Sequence, residues 1–194
     1  MEKKMRLIIG ISGSSGVIYG IRLLQMLRDF DEVETHLVIS KYGRLNIELE
    51  TDYKVGDVEA LADVVHGEKN QAASIASGSF GVDGMIVAPC SMKTLSGIVH
   101  SYSDSLVVRA ADVCLKERKK LVLMPRETPL HTGHCKLMYE ASLLGAIIAP
   151  PMPAFYSKPN SIDDIVNHSV GRVLDLFGLD SGTVTRWQGP GSAS

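Results

Sequence analysis

Residues 7–24 read LIIGISGSSGVIYGIRLL. Four apolar residues and a glycine run into a turn of glycines and serines. An apolar-periodic segment follows at once, with Val17, Ile18, Ile21, Leu24 and Leu27 at helical spacing. The stretch reads as strand, tight turn and helix start. Such a junction aims backbone N–H groups at an anion, most often a phosphate.

The same alternation recurs outward from this point. Strands are predicted at Arg6–Ile11, Val33–Ser40, Gly84–Ala88, Lys120–Pro125 and Ala146–Ala149, with helical stretches between them. One of these, SDSLVVRAADVCLKER (103–118), offers Ser103 or Asp104 as its N-cap and ends in a basic cluster suited to a helix C-terminus. Alternating strands and helices predict an α/β domain: a mainly parallel sheet, helices on both faces, and ligands at the carboxyl ends of the strands. At 194 residues the expected organisation is one domain over 1–179 and a C-terminal tail over 180–194, ending in a fraying QGPGSAS.

Hydrophobic residues make up 45% of the chain and charged ones 22%, the balance of a soluble globular protein. The net charge of −2 supplies no field that would draw nucleic acid or an anionic membrane, and neither partner is expected. The opening MEKKMRLIIGISG places positive charge before apolar residues, but the apolar run is too short for a signal sequence or a membrane span. Cys90, Cys114 and Cys135 are odd in number and irregularly spaced, which argues against a disulfide scaffold. The expected location is the cytoplasm.

Several loops can carry chemistry. GISGSSG has glycines at 10, 13 and 16, which is neither the dinucleotide G-x-G-x-x-G nor a Walker loop. It serves equally as a phosphate site or as a turn that packs a helix on a strand. At the end of the second strand stand Ser40 and Lys41, where a dinucleotide fold places an acid for the ribose diol; this leans toward a mononucleotide such as FMN. In APCSMKTLSG, Pro89 is expected to end the strand, and Ser91, Lys93 and Thr94 to form a second anion cradle, or Ser91 simply to cap the helix. Cys90 is read as a buried thiol or, less favoured, a nucleophile without an adjacent base.

In LVLMPRETPLHTGH, Arg126 and Glu127 stand at a strand's carboxyl end, as a phosphate fork beside a proton carrier or as a surface pair. His131, His134 and Cys135 match no strong metal signature, and no metal is expected. Beyond a proline-rich loop that holds Phe155 and Tyr156, Ser161 caps a helix with Asp163 and Asp164 in its first turn. Arg172 lies on that helix among Val166, Val170, Val173 and Leu174, either snorkelling to water or meeting an anion. There are more phosphate-type sites than one mononucleotide uses, and two phosphorylated ligands are the economical reading.

Taken together, GISGSSG, SGSFGVDGMIVAPCSMKTLSGI, YSDSLVVRAADVCLKERKKLVL, RETPLH, PPMPAFYSKP and SIDDIV through GRVLD resemble the UbiX family of flavin prenyltransferases from about Arg6 to about Leu179. The family includes relatives associated with phenolic-acid decarboxylases. The resemblance implies a flavodoxin-like Rossmann fold and a homo-oligomer, typically a dodecamer, with active sites at subunit interfaces. It implies FMN in reduced form and dimethylallyl phosphate as substrates, and prenylated FMN as a product passed to a UbiD-type decarboxylase in ubiquinone biosynthesis or aromatic-acid metabolism.

By the same resemblance, Ser14, Ser15, Gly16, Ser40, Ser91, Met92, Lys93, Thr94, Arg109 and Arg126 would contact the flavin. Lys116, Arg126, Glu127, Tyr156, Arg172 and Trp187 would face the prenyl phosphate, and Ser15, Glu127 and Glu50 would take catalytic roles. The chain departs from the family's usual pattern in having serine at position 14 where alanine is common, Cys135 where leucine is common, and no tryptophan before the SGS turn. Rival readings on the same fold are a non-catalytic FMN carrier and a flavin-dependent decarboxylase; the histidine and P-x-M-N motif of cysteine decarboxylases are absent.

Overall fold

A computed structural model describes residues 4–189. The chain divides into two compact units, one ending at Pro150 and one beginning at Pro151.

The first unit is built on a six-stranded sheet of β1 (Met5–Ile11), β2 (Val33–Ile39), β3 (Val64–His66), β4 (Gly84–Cys90), β5 (Lys120–Pro125) and β6 (Ile147–Ile148), in the order β3-β2-β1-β4-β5-β6. Every pairing is parallel. The central strands β1 and β4 are almost wholly buried, as the unbroken apolar runs require of strands covered on both faces.

Helices α1 (Ile18–Leu27), α2 (Lys41–Glu50), α3 (Val55–Glu59), α4 (Met92–Val99), α5 (Leu106–Lys116) and α6 (Thr132–Leu143) connect the strands. Adjacent residues of β1 show that helices lie on both faces. A Cβ on Gly10 would stand 3.3 Å from Val107 of α5, whereas Ile11 packs toward Gly20 of α1. Successive strand residues point to opposite faces, so α1 and α5 cover opposite sides. The close approach of α1 depends on Gly20: a Cβ there would sit 2.4 Å from the Ala88 carbonyl oxygen.

The order places a topological switch between β1 and β4, and their carboxyl ends flank the crevice where such sheets bind ligands.

All five strands expected from sequence are present, with β6 shortened to Ile147–Ile148 and β2 stopping at Ile39 because Ser40 caps α2. Two expectations are corrected. Pro89 does not end its strand: β4 continues to Cys90 through an irregularity in register between Val87 and Cys90, the setting in which a sheet tolerates proline. Neither Ser103 nor Asp104 caps α5; Ser105 does, its hydroxyl accepting from the Val108 N–H at 3.4 Å, one residue before the helix dihedrals begin.

The second unit contains α7 (Ile162–Asp175), which begins as expected. Ser161 and Asp164 form a reciprocal capping box, with Asp163 and Asp164 in the first turn. The tail is tied down well past Gly178, through a Thr183 hydroxyl donating to the Asn167 carbonyl and an Arg186 pair with Asp175. Of the predicted fraying end, residues 190–194 lie outside the described residues. Among the described residues no helix is long and apolar enough to cross a membrane.

Candidate functional site

The site grows from the turn that follows β1. Ser12 is fully buried and braces this turn against the one after β4: its hydroxyl donates to the Pro89 carbonyl at 2.8 Å and accepts from the Ser91 N–H at 2.8 Å. Sequence reasoning missed this residue. Gly13 follows, pressed so closely on α2 that a Cβ would lie 2.4 Å from the Tyr42 Cβ. Gly16 holds φ at +97°, a left-handed conformation that glycine adopts without cost.

Three helix N-termini converge here, and their donors are used differently. At α1, the Glu50 carboxylate accepts from the Gly16 N–H at 2.7 Å and the Val17 N–H at 3.4 Å. At α2, the Ser40 hydroxyl accepts from the Gly43 N–H at 3.0 Å, and Glu68 accepts from the Lys41 N–H at 2.8 Å. At α4, the Ser91 hydroxyl accepts from the Thr94 N–H and donates to the Thr94 hydroxyl. That leaves the first-turn N–H groups of Met92 and Lys93 without a partner inside their helix.

Between α2, α4 and α5 opens a cleft of about 330 Å³ lined by Gly13, Ser40, Lys41, Tyr42, Ser91, Lys93 and Thr94, among others. Glu68 and Asp104 also line it, so its charge is mixed; Lys93 Nζ lies 3.5 Å from Asp104. The Met92 side chain packs against the core, which leaves its backbone as the part available to a ligand.

One observation tests whether these residues suit a flavin phosphate. The Ser14 hydroxyl is buried without a hydrogen-bond partner, a group that native structures rarely leave unsatisfied. An oxygen-rich ligand held between the Ser14 turn and the open end of α4 would satisfy both, so the site fits FMN.

Arg126, at the end of β5, joins this cluster by donating from Nε to the Ser15 carbonyl at 3.1 Å. Glu127 beside it is exposed, with Oε1 accepting from the Thr128 N–H. Two predicted residues on α5 are held by partners of their own. Arg109 is fixed to the Ala76 carbonyl and to Asp112 at 2.9 Å. Lys116 ends α5 beside Glu117, four residues before β5 begins, and so lies at the opposite end of the sheet from Arg126.

Cys90 is fully buried, and burial pushes its thiol up to about 12, which removes the thiolate a nucleophile needs. Among the described residues no group of three His, Cys, Asp or Glu side chains is placed to hold a metal ion.

In the second unit, Tyr156 is flanked edge-on by His168 and Trp187, each with ring centroids 5.7 Å away. Arg172 reaches Asp175 at 2.6 Å and is half-exposed, so it neither snorkels freely nor lies inward. Arg186, hydrogen-bonded to Asp175, holds that carboxyl below the usual range, and Arg172 adds to the effect.

The family model described as Flavoprotein matches residues 1–174. The flavin prenyltransferase UbiX of Escherichia coli strain K12 is 59% identical over 95% of this chain and 98% of its own. Among solved structures, AnUbiX (PadA1) in complex with FMN and dimethylallyl pyrophosphate superposes with a TM-score of 0.94 at 51% identity, covering 96% of this chain and 99% of that one. A dodecameric FMN-dependent UbiX-like decarboxylase from Escherichia coli O157:H7 gives a TM-score of 0.94 at 57% identity, covering 95% and 100%.

Proposed function

Because this chain belongs to the flavoprotein family and, within it, to the UbiX flavin prenyltransferases, we propose that it joins a dimethylallyl group from dimethylallyl phosphate to reduced FMN, yielding prenylated FMN for a UbiD-type decarboxylase. The observation that carries the reading is the cleft beside the β1/β4 switch, lined by Ser40, Ser91, Lys93 and Thr94, with the unpartnered Ser14 hydroxyl buried in the adjoining turn. In it Ser14, Ser15, Gly16, Ser40, Ser91, Met92, Lys93, Thr94 and Arg126 bind the flavin. FMN supplies the nucleophilic ring atoms.

Residues of the chain supply the rest. A phosphate leaves an allylic carbon readily only when fixed cations meet its growing charge, which is the role of Arg126, Arg172 and Lys116. Tyr156 lends an aromatic wall to positive charge on the allyl group, and Trp187 backs it. Glu127 carries the proton at the leaving phosphate, with Ser15 and Glu50 as further catalytic groups. Lys116 lies at the opposite end of the sheet from Arg126 within its own chain, which supports a homo-oligomer, read as a dodecamer, whose neighbouring subunits complete each site. We read residues 1–179 as one flavin-binding domain, 180–194 as its tail, and the cytoplasm as its location.

The test is anaerobic incubation with reduced FMN and dimethylallyl phosphate, alongside the pyrophosphate, followed by mass spectrometry of the released flavin. A flavin heavier by one five-carbon unit is expected; unmodified flavin with both donors, from protein that binds FMN, would return the reading to a carrier or a decarboxylase. Glu127→Gln is expected to lower the prenyl-transfer rate about 100-fold with FMN binding intact. A rate equal to that of the unaltered protein would remove its proton-carrying role.

A further inference from the structure

His168 is a buried polar residue on α7: it is only 7% exposed and, two positions from both Val166 and Val170, lies on the other side of the helix from their apolar stripe. Its Nε2 stands 3.4 Å from the Thr185 carbonyl oxygen and 3.3 Å from the Tyr156 hydroxyl. A carbonyl oxygen can only accept, so the nitrogen facing it carries the hydrogen. One N–H shared between two acceptors forms a three-centre bond, which accounts for both long distances. With the hydrogen assigned to Nε2 on that ground, the Tyr156 oxygen accepts from His168, and its own proton is left to point away from the histidine.

We infer that His168 is a positioning residue that fixes the Tyr156 hydroxyl as a donor toward the phosphate of the prenyl substrate. Phosphate oxygens are acceptors; a tyrosine whose proton were spent on His168 would turn only lone pairs to them. Arg172 follows His168 by four residues, so it projects from the same face of α7 as the group that orients Tyr156. The Tyr156 ring is held edge-on by His168 at 82° and by Trp187 at 70°, yet remains 46% exposed. It is thus fixed in place and open to a ligand.

The inference rests on reading Tyr156 as a ligand of the donor phosphate, and the experiment separates the two. His168→Leu removes the N–H; His168→Gln restores a side-chain donor. Binding of dimethylallyl phosphate is followed by calorimetry on FMN-loaded protein, and KM and kcat by turnover. His168→Leu is expected to raise the Kd and KM for dimethylallyl phosphate about tenfold, the loss of roughly one hydrogen bond to a charged group. KM for reduced FMN and kcat stay unchanged, and His168→Gln returns the donor constants close to their original values.

In a Tyr156→Phe background, His168→Leu has no further effect. Additive losses in that background, failure of glutamine to rescue, or equal losses for both substrates would overturn the inference. If Tyr156→Phe alone leaves donor binding intact, the reading of Tyr156 falls and the inference with it. Should the leucine variant not fold, His168→Phe keeps a ring without the donor and carries the same expectation.

Discussion

The turns after β1 and after β4 lie side by side at the switch point, and both lead into helix N-termini, yet they are finished in opposite ways. The first carries Gly13 and Gly16 and reads in sequence equally as an anion cradle or as a packing turn. Its leading N–H groups are occupied by the chain's own Glu50. The second, APCSMKT, is less conspicuous; its cap is the short Ser91 hydroxyl, and the N–H groups of Met92 and Lys93 remain for a ligand. A helix N-terminus attracts whichever negative group can reach it, and a side chain from a neighbouring helix competes on equal terms with a phosphate. The glycines of the first turn serve a different purpose: Gly13 lets the turn lie against Tyr42 of α2, and Gly16 takes the left-handed conformation that leads into α1.

Gly13→Val should have the largest effect on this arrangement. Its Cβ would fall 2.4 Å from the Tyr42 Cβ, an atom that moves only with the α2 backbone, and its branches enlarge the clash. At the upper end of overpacking costs, about 3 kcal/mol, FMN affinity drops roughly 150-fold, which quenching of flavin fluorescence would measure. Affinity within threefold of the original would mean that close contact of this turn with α2 is dispensable to the cleft.

Ser12→Ala comes next. It removes the brace between the turns and strands the Ser91 N–H, while Pro89 keeps the Ser12 N–H at 3.2 Å. A cost of about 1.4 kcal/mol corresponds to a tenfold weaker Kd for FMN by the same measurement. An unchanged Kd would show that the two turns hold their positions independently.

Most of the fold was legible because the strands and the principal helices obey local rules. Apolar runs bounded by turns gave β1, β2, β4, β5 and β6, and the Ser91 and Ser161 caps stood where their hydroxyls could reach the next turn. β3 escaped because it is only three residues long and lies at the edge, with Val64 and Val65 partly exposed, so no alternation marks it. Glu50 could be placed by family resemblance, but its contact with Gly16 spans 34 positions and has no local signal. Ser12 was hidden for the same reason, its partners lying 77 and 79 positions away. His168 left no trace either: it falls on the opposite side of α7 from the Val166–Val170–Val173 stripe, and its partners Tyr156 and Thr185 lie 12 and 17 positions away.

The smallest effect on binding is expected at Glu50, and it sharpens the contrast most. Glu50→Gln preserves an oxygen that can accept from Gly16 and Val17 but removes the charge and the capacity to take a proton. The contact is at the surface, where water can replace it, so FMN affinity should stay within about twofold. The rate of prenyl transfer should nevertheless fall at least tenfold if the carboxylate moves a proton as well as capping α1. A fall in rate with binding preserved makes the first turn a seat for a catalytic acid, set beside a second turn that holds the ligand. Equal rates would reduce Glu50 to a helix cap. A large gain in affinity would identify it as a competitor for the flavin phosphate, which would make the first turn a second anion cradle after all.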